Sequence, residues 1–207
     1  MREIVLRLNV CRYDELTPAA KERVRQDYLN DSFRNEDFNR QFQWDLEALF
    51  PNSDLKHQYD LGYCQGDGVN VYGRVDLTDL YTIHEKAPDY NQLTIFSDKE
   101  WSRISHYDSA VRTCICLPMN FRYNYCVCDQ LDFAEDWIGE LEDMDYKNID
   151  RKLIRRFEKQ VGELFCTYCK DKEREGYEYI YNISDEEMKE TADANDWEFY
   201  EDGRFYA

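Results

Sequence analysis

The run YCQGDG at residues 63–68 could bind an anion through its backbone amides, or its side chains could take part in catalysis. Backbone amides in a tight glycine turn can cradle an anion, and Gln65 or Asp67 could then act in that site. A phosphate-binding loop would contain a lysine and lead into a helix. Residues 69–72 (VNVY) instead predict a continuing strand, so the segment is predicted to turn the chain, with its glycines at positive φ. A further role for Gln65 stays open.

His106 is the histidine that could complete such a site. It lies in the segment ISHYD, where it alternates with Ile104 in a pattern typical of a strand. An enzyme acting on nucleic acid or on a nucleotide would bring Gln65, Asp67 and His106 into one pocket. The order of residues offers no Ser-His-Asp or Cys-His pairing, and a partly buried, hydrogen-bonded histidine is the alternative. The sequence therefore names no catalytic residue.

Two cysteine pairs could bind a metal. Cys114 and Cys116 lie on one predicted strand, and Cys126 and Cys128 lie on the next. Side chains two residues apart on a strand share a face, so four thiolates could hold zinc if the strands are in register. Compact zinc sites more often have two residues between the cysteines, and the alternative is four small apolar core positions. We expect no cofactor.

The charge of the chain is strongly acidic and unevenly distributed. There are 44 acidic and 26 basic residues, for a net charge of −18. Residues 131–150 have eight acidic side chains and one basic, and residues 177–207 have ten and two. Between them, residues 151–176 have eight basic side chains and five acidic. The acidic residues predicted to contact a partner are Asp132, Glu135, Asp136, Glu140, Glu142, Asp143, Asp145, Glu186, Glu187, Glu190 and Asp193.

These acidic segments have two interpretations. They could solvate the surface and pair with the basic helix between them. They could instead form one acidic face that mimics the phosphates of a nucleic acid and binds a cationic protein surface. In either case we expect no direct binding to nucleic acid, since its phosphates repel carboxylates. The start of the sequence does not resemble a signal peptide, and no uncharged stretch is long enough to span a membrane, so a cytoplasmic location is expected.

The elements that must position these residues predict an α+β fold. We expect one domain over residues 1–207, with a central antiparallel β-sheet packed by several α-helices and an acidic, helical C-terminal part from about residue 131. Strands are predicted at residues 3–11, 55–64, 69–81, 101–117 and 121–128. Helices are predicted after Thr17-Pro18, over residues 36–50, over residues 150–175 and after a Ser184–Glu187 capping box. Asp67-Gly68 and Asp202-Gly203 predict hairpin turns.

Four segments together resemble a family of small proteins of bacteriophages, prophages and mobile elements. In chain order they are RYDELTPAAKERVRQDY, YDLGYCQGDGVNVYG, ISHYD and WEFYEDGRFY, and YCQGDG is the most specific piece. The resemblance implies no catalytic residue. It implies a setting in which genes of this size encode modulators of host machinery, including anti-CRISPR and antirestriction proteins. The acidic segments at residues 131–150 and 177–207 are interpreted as additions in this chain.

The sequence and the resemblance together favour an inhibitor encoded by a phage. We expect it to bind a host nucleic-acid-binding defence enzyme, either a CRISPR effector or a restriction complex, through an acidic surface that mimics nucleic acid. One alternative is an enzyme acting on nucleic acid or a nucleotide near the Gln-Gly-Asp-Gly turn. The other is a structural or assembly protein of a mobile element.

Overall fold

The computed structural model describes residues 9–31, 33–64, 66–119 and 131–206. Within these ranges the chain forms α-helices and two antiparallel sheets, which confirms the predicted α+β class. The helices are α1 (Pro18–Leu29), α2 (Phe33–Leu49), α3 (Leu77–Lys86), α4 (Asp98–Ala110), α5 (Phe133–Asp143), α6 (Arg151–Tyr181) and α7 (Asp185–Ala194). The strands are β1 (Val10–Cys11), β2 (Asp54–Asp60), β3 (Gly68–Val75), β4 (Ile115–Leu117) and β5 (Phe199–Tyr200).

The chain divides into two compact units. Residues 9–38 and 177–206 are the described part of the first, which we call the terminal unit. Residues 39–176 form the second, which we call the central unit. The sequence-based expectation of one domain stays a prediction.

The terminal unit is built around α1, α7 and a short sheet. The hydroxyl oxygen of Thr17 accepts a hydrogen bond from the Ala20 amide at 3.3 Å, so Thr17 and Pro18 begin α1 as the sequence predicted. Strand β1 pairs antiparallel with β5, and the chain turns after β5 so that Phe199 bridges Phe205, which confirms the second hairpin. The core of this unit consists of Tyr13, Leu16, Ala20, Val24, Ile183, Met188, Ala192 and Phe199.

The central unit contains a three-stranded sheet in the order β2-β3-β4. Strands β2 and β3 pair antiparallel from Asp54 opposite Arg74 to Asp60 opposite Gly68, which confirms the predicted hairpin. Gly66 has φ +119°, but Gly68 is already the first residue of β3 and does not have positive φ, so that part of the prediction was wrong for Gly68. Strand β3 also pairs antiparallel with β4. Helix α6 buries the predicted apolar residues Ile154, Phe157, Val161, Leu164 and Phe165.

Two segments predicted as strands are helices, so that part of the prediction was wrong. Residues 77–81 belong to α3, which begins where the Asp76 carboxylate accepts a hydrogen bond from the Thr78 amide at 2.8 Å. Residues 101–110 belong to α4, which begins at a capping box between Ser97 and Glu100. His106 therefore lies on a helix and not on a strand. Of residues 101–117, only 115–117 form a strand, and the predicted strand at 121–128 lies outside the described residues.

Candidate functional site

The predicted acidic residues near α5 fall into two groups, and the first is exposed. Helix α5 buries Phe133, Ala134, Trp137, Ile138 and Leu141, so its charged residues lie on the opposite side. The exposed acidic residues for which the described part of the chain provides no ion pair or side-chain hydrogen bond are Asp132, Asp136, Asp143 and Asp145.

The second group near α5 is paired within the central unit. Glu135 forms an ion pair with Arg155, and Glu142 forms one with Arg151, both on α6. Glu140 accepts hydrogen bonds from the Arg112 amide and from the amide and hydroxyl of Thr113. These hydrogen bonds lower the pKa of Glu140, and the bond from the Arg112 amide has the largest effect. Glu140 therefore holds the segment before β4 against α5.

Helix α7 has the second set of predicted acidic residues. Ser184 and Glu187 form the predicted capping box: the Ser184 hydroxyl accepts from the Glu187 amide at 3.1 Å, and the Glu187 carboxylate accepts from the Ser184 amide at 2.8 Å. Glu187 thus starts the helix, and these hydrogen bonds lower its pKa. Glu186, Glu190 and Asp193 are exposed, and no ion pair to them occurs among the residues that the structure describes.

The negative charge is most concentrated in the terminal unit. Residues 9–38 and 177–206 contain 17 acidic and 7 basic side chains, a net charge of −10. Residues 39–176 contain 26 and 17, a net charge of −9 over more than twice the length. In the central unit, the basic start of α6 also offsets part of the charge of α5. The unpaired acidic residues of α7 therefore belong to the unit with more negative charge per residue, whereas those near α5 belong to the less negative unit.

The three residues of the alternative enzyme pocket have different roles where they are described. Asp67 is 4% exposed, and its carboxylate accepts hydrogen bonds from the amide of Cys64 at 3.0 Å and from its thiol at 2.9 Å. The hydrogen bond from the Cys64 thiol to Asp67 is the main cause that raises the pKa of Cys64. The two hydrogen bonds show that Asp67 closes the turn. His106 is exposed on α4, with its ring centroid 5.6 Å from that of Tyr146. Gln65 lies outside the described residues, so convergence of the three stays a prediction.

The cavity beside His106 has a volume of about 350 Å³ and is open to solvent. Its lining includes Arg103, Tyr107, Tyr146 and Lys147, and among the described residues it does not include Asp67. Arg103 is already paired with Asp150, at 3.0 Å between Nη1 and Oδ2. The cavity therefore offers little free positive charge beyond Lys147.

The proposed zinc ligands are only partly described. Cys114 is half-buried just before β4, and Cys116 is exposed within it. Cys126 and Cys128 lie outside the described residues. Within residues 9–31, 33–64, 66–119 and 131–206, no three His, Cys, Asp or Glu side chains cluster as metal ligands would. The four-cysteine site stays a prediction.

A cavity of about 450 Å³ between α3 and α4 was not predicted from the sequence. Asp76, Asp98, Asp108 and the aromatic pair Tyr81 and Trp101 contribute to its lining. Burial, and then the nearby Asp76, raise the pKa of Asp108. The helix caps at Asp76 and Ser97 were the sequence signals that could have placed these residues on facing helices.

No family model, curated protein or solved structure matches this chain. In the part of the chain that is described, none of the helices combines the length and the apolar character needed to cross a bilayer.

Proposed function

We propose that this protein is a phage-encoded inhibitor that acts in the host cytoplasm on a nucleic-acid-binding defence enzyme, a CRISPR effector or a restriction complex. It binds the cationic nucleic-acid surface of that enzyme through its own acidic side chains. The observation that carries the proposal is the set of exposed, unpaired carboxylates around α5 and on α7, in a chain of net charge −18.

The spacing of these carboxylates supports such a contact. Glu186, Glu190 and Asp193 are four and then three residues apart on α7, so they lie on one side of the helix, with Cβ atoms about 5–6 Å between neighbours. Asp136 and Asp143 are seven residues apart on α5 and likewise share a side. Rows of negative charge complement the Lys and Arg rows that bind nucleic-acid phosphates.

The absence of close internal ion pairs matters because a cation in close contact offsets the charge that a carboxylate presents to a partner. Glu135 and Glu142 are already neutralised by Arg155 and Arg151. The unpaired residues have no ion pair within the described part of the chain and are exposed to water, so they can attract a cationic surface over about one Debye length, roughly 8 Å at physiological salt. We therefore assign binding to the unpaired set and a structural role to Glu135, Glu140, Glu142 and Glu187.

Competition with DNA tests the proposal. A guide-loaded Cas9-type effector and a multisubunit restriction enzyme, each with a fluorescent target duplex, are titrated with this protein, and DNA displacement is measured. We expect displacement from at least one of the two enzymes. The α7 variant Glu186→Gln, Glu190→Gln, Asp193→Asn should be about tenfold or more weaker, since each exposed contact is worth up to about 1 kcal/mol.

The matched control removes the same charge elsewhere. The variant Asp54→Asn, Glu85→Gln, Asp89→Asn changes three exposed acidic residues of the central unit and should displace DNA like the wild type. Circular dichroism checks that each variant is folded. Equal potency of the α7 variant and the control, or failure of the wild type to displace DNA from either enzyme, would contradict the proposal.

A further inference from the structure

The terminal unit contains an aromatic pocket, which we define by the residues Tyr28, Trp197, Phe205, Asp27 and Asp31. Its volume is about 280 Å³, and buried Val24 and Phe199 are also in its lining. Tyr28, Asp27 and Asp31 come from α1 and the segment after it, whereas Trp197 and Phe205 come from the C-terminal hairpin.

The rings of the aromatic pocket stand steeply to one another. The centroids of Tyr28 and Trp197 are 5.9 Å apart at an interplanar angle of 62°, and those of Trp197 and Phe205 are 5.6 Å apart at 85°. All three rings line the cavity, and an aromatic ring attracts a cation that lies over its π face. The guanidinium of Arg34 lies 5.2 Å from the centroid of Tyr28 and already uses this ring for one cation–π contact, so Trp197 and Phe205 are the main rings left for a ligand.

The mouth of the aromatic pocket is negatively charged. Asp27 and Asp31 are both exposed. Asp27 has only a long ion pair with Arg23, at 3.8 Å, and Asp31 accepts a hydrogen bond from the Phe33 amide at 3.1 Å. These contacts leave carboxylate oxygens for a ligand, because each carboxylate can accept about four hydrogen bonds.

The chain backbone holds the aromatic pocket in place. Gly203 has φ +86°, and a Cβ there would lie 2.5 Å from the carbonyl oxygen of Ala20, so the hairpin packs directly on α1. The Trp197 amide donates to the carbonyl of Ala192 at 2.9 Å, which fixes the backbone of Trp197 next to the end of α7. A preformed site loses less entropy on binding than one that must be ordered.

We propose that the aromatic pocket binds a cationic side chain of the partner protein, with arginine preferred over lysine. That the side chain comes from a partner rests on the proposed function. Charge complementarity selects the occupant. Two carboxylates at the mouth disfavour a neutral apolar ligand, and a second copy of this chain, also at net charge −18, is repelled. A planar guanidinium stacks on aromatic rings and pairs with carboxylates at the same time, so arginine fits best.

Nuclear magnetic resonance on the full chain tests the proposal with three probes, the peptides acetyl-Gly-Arg-Gly-amide, its lysine analogue and its neutral citrulline analogue. The indole N–H signal of Trp197 is assigned with the variant Trp197→Phe. We expect a saturable shift of this signal with the arginine peptide, a weaker one with lysine, and none with citrulline. An equal shift with citrulline would overturn the proposal.

Two variants locate the effect. Asp27→Asn with Asp31→Asn keeps the rings, and Phe205→Ala removes a ring that is 56% exposed. Each should weaken arginine binding by about tenfold, as expected for loss of the charge or of a π face. Unchanged affinity in both variants would refute the pocket as the site.

DNA displacement separates this proposal from the proposed function. If the wild-type protein displaces DNA but the arginine peptide does not shift Trp197, the pocket assignment is wrong and the inhibitor proposal stands. If the peptide binds in the pocket but neither enzyme is inhibited, the pocket assignment stands and the proposed target is wrong.

Discussion

At the scale of single residues, Asp79 shows how a buried carboxylate joins two elements. It is 0% exposed and accepts hydrogen bonds from the Asn52 amide at 2.9 Å, the Asn52 side chain at 2.8 Å and the Ser53 hydroxyl at 2.7 Å. It thereby fastens the turn after α2 to α3. Replacing Asp79 by alanine removes three hydrogen bonds to one buried, charged acceptor, which costs more than the loss of one ordinary hydrogen bond.

We predict that Asp79→Ala lowers the free energy of unfolding by about 3 kcal/mol, measured by urea denaturation. Asp89→Ala, at an exposed position of the same unit, should change it by less than about 0.5 kcal/mol. If the two variants lose similar stability, the role assigned to Asp79 is wrong.

Asp108 gives a prediction about pH. Burial and Asp76 raise its pKa in the folded state, although Arg74 opposes them. Folding therefore favours the protonated form, so the folded state loses stability as the pH rises from the unfolded pKa of about 3.9 through the raised folded value. Asp108→Asn should raise Tm at about pH 7 and have no such effect at about pH 3. Calorimetry at both pH values checks this, and an equal gain at both would contradict it.

At the scale of elements, two glycines of the central unit make a matched pair. Gly73 in β3 has φ +121°, and a Cβ there would lie 2.2 Å from the carbonyl oxygen of Asp54 on β2. Gly139 in α5 has no atom within 4 Å of an added Cβ. The first glycine is required by the close approach of two strands, and the second only weakens a helix.

We expect Gly73→Ala to lower the free energy of unfolding by about 2 kcal/mol or more, from backbone strain and displacement of β2. Gly139→Ala should raise it by about 0.5–1 kcal/mol, because alanine favours the helix. Both values come from chemical denaturation, and a stabilising Gly73→Ala would show that the β2–β3 approach is not as described.

The elements that the sequence predicted well have strong local signals. Helix α6 has an apolar residue at every third or fourth position, and the Ser184 capping box and the β2–β3 hairpin are specified by neighbouring residues. Helix α4 was missed because Ile104 and His106 alternate over a short stretch. The spacing of three between Trp101, Ile104 and Tyr107, all buried, was the better guide.

The candidate site could be predicted only in part, for a related reason. The acidic segments are visible in the sequence, but which carboxylates stay unpaired depends on contacts between α5 and α6, such as Glu135 with Arg155. The aromatic pocket was not predicted, because Tyr28 and Trp197 are far apart in the chain and meet only after folding. Charge composition is local information, whereas pairing and enclosure are tertiary.

At the scale of the whole molecule, the net charge of −18 should oppose folding through self-repulsion. We predict that Tm rises as NaCl increases from about 20 to about 200 mM, because salt screens this repulsion, while exposed ion pairs lose little. Differential scanning calorimetry measures the change, and an uncharged osmolyte at matched osmolality controls for solvent effects. A falling Tm would mean that attractive pairs outweigh the repulsion.

The most direct test of the central claim is the salt dependence of binding to the inhibited enzyme. Binding by exposed carboxylates to a cationic nucleic-acid surface should weaken at least tenfold as salt rises from about 50 to about 300 mM, mostly through slower association. The slope of log Kd against log salt should be smaller for Glu186→Gln, Glu190→Gln, Asp193→Asn than for the wild type. A wild-type Kd that does not change with salt, together with the same slope of log Kd against log salt in the wild type and the α7 variant, would contradict the account.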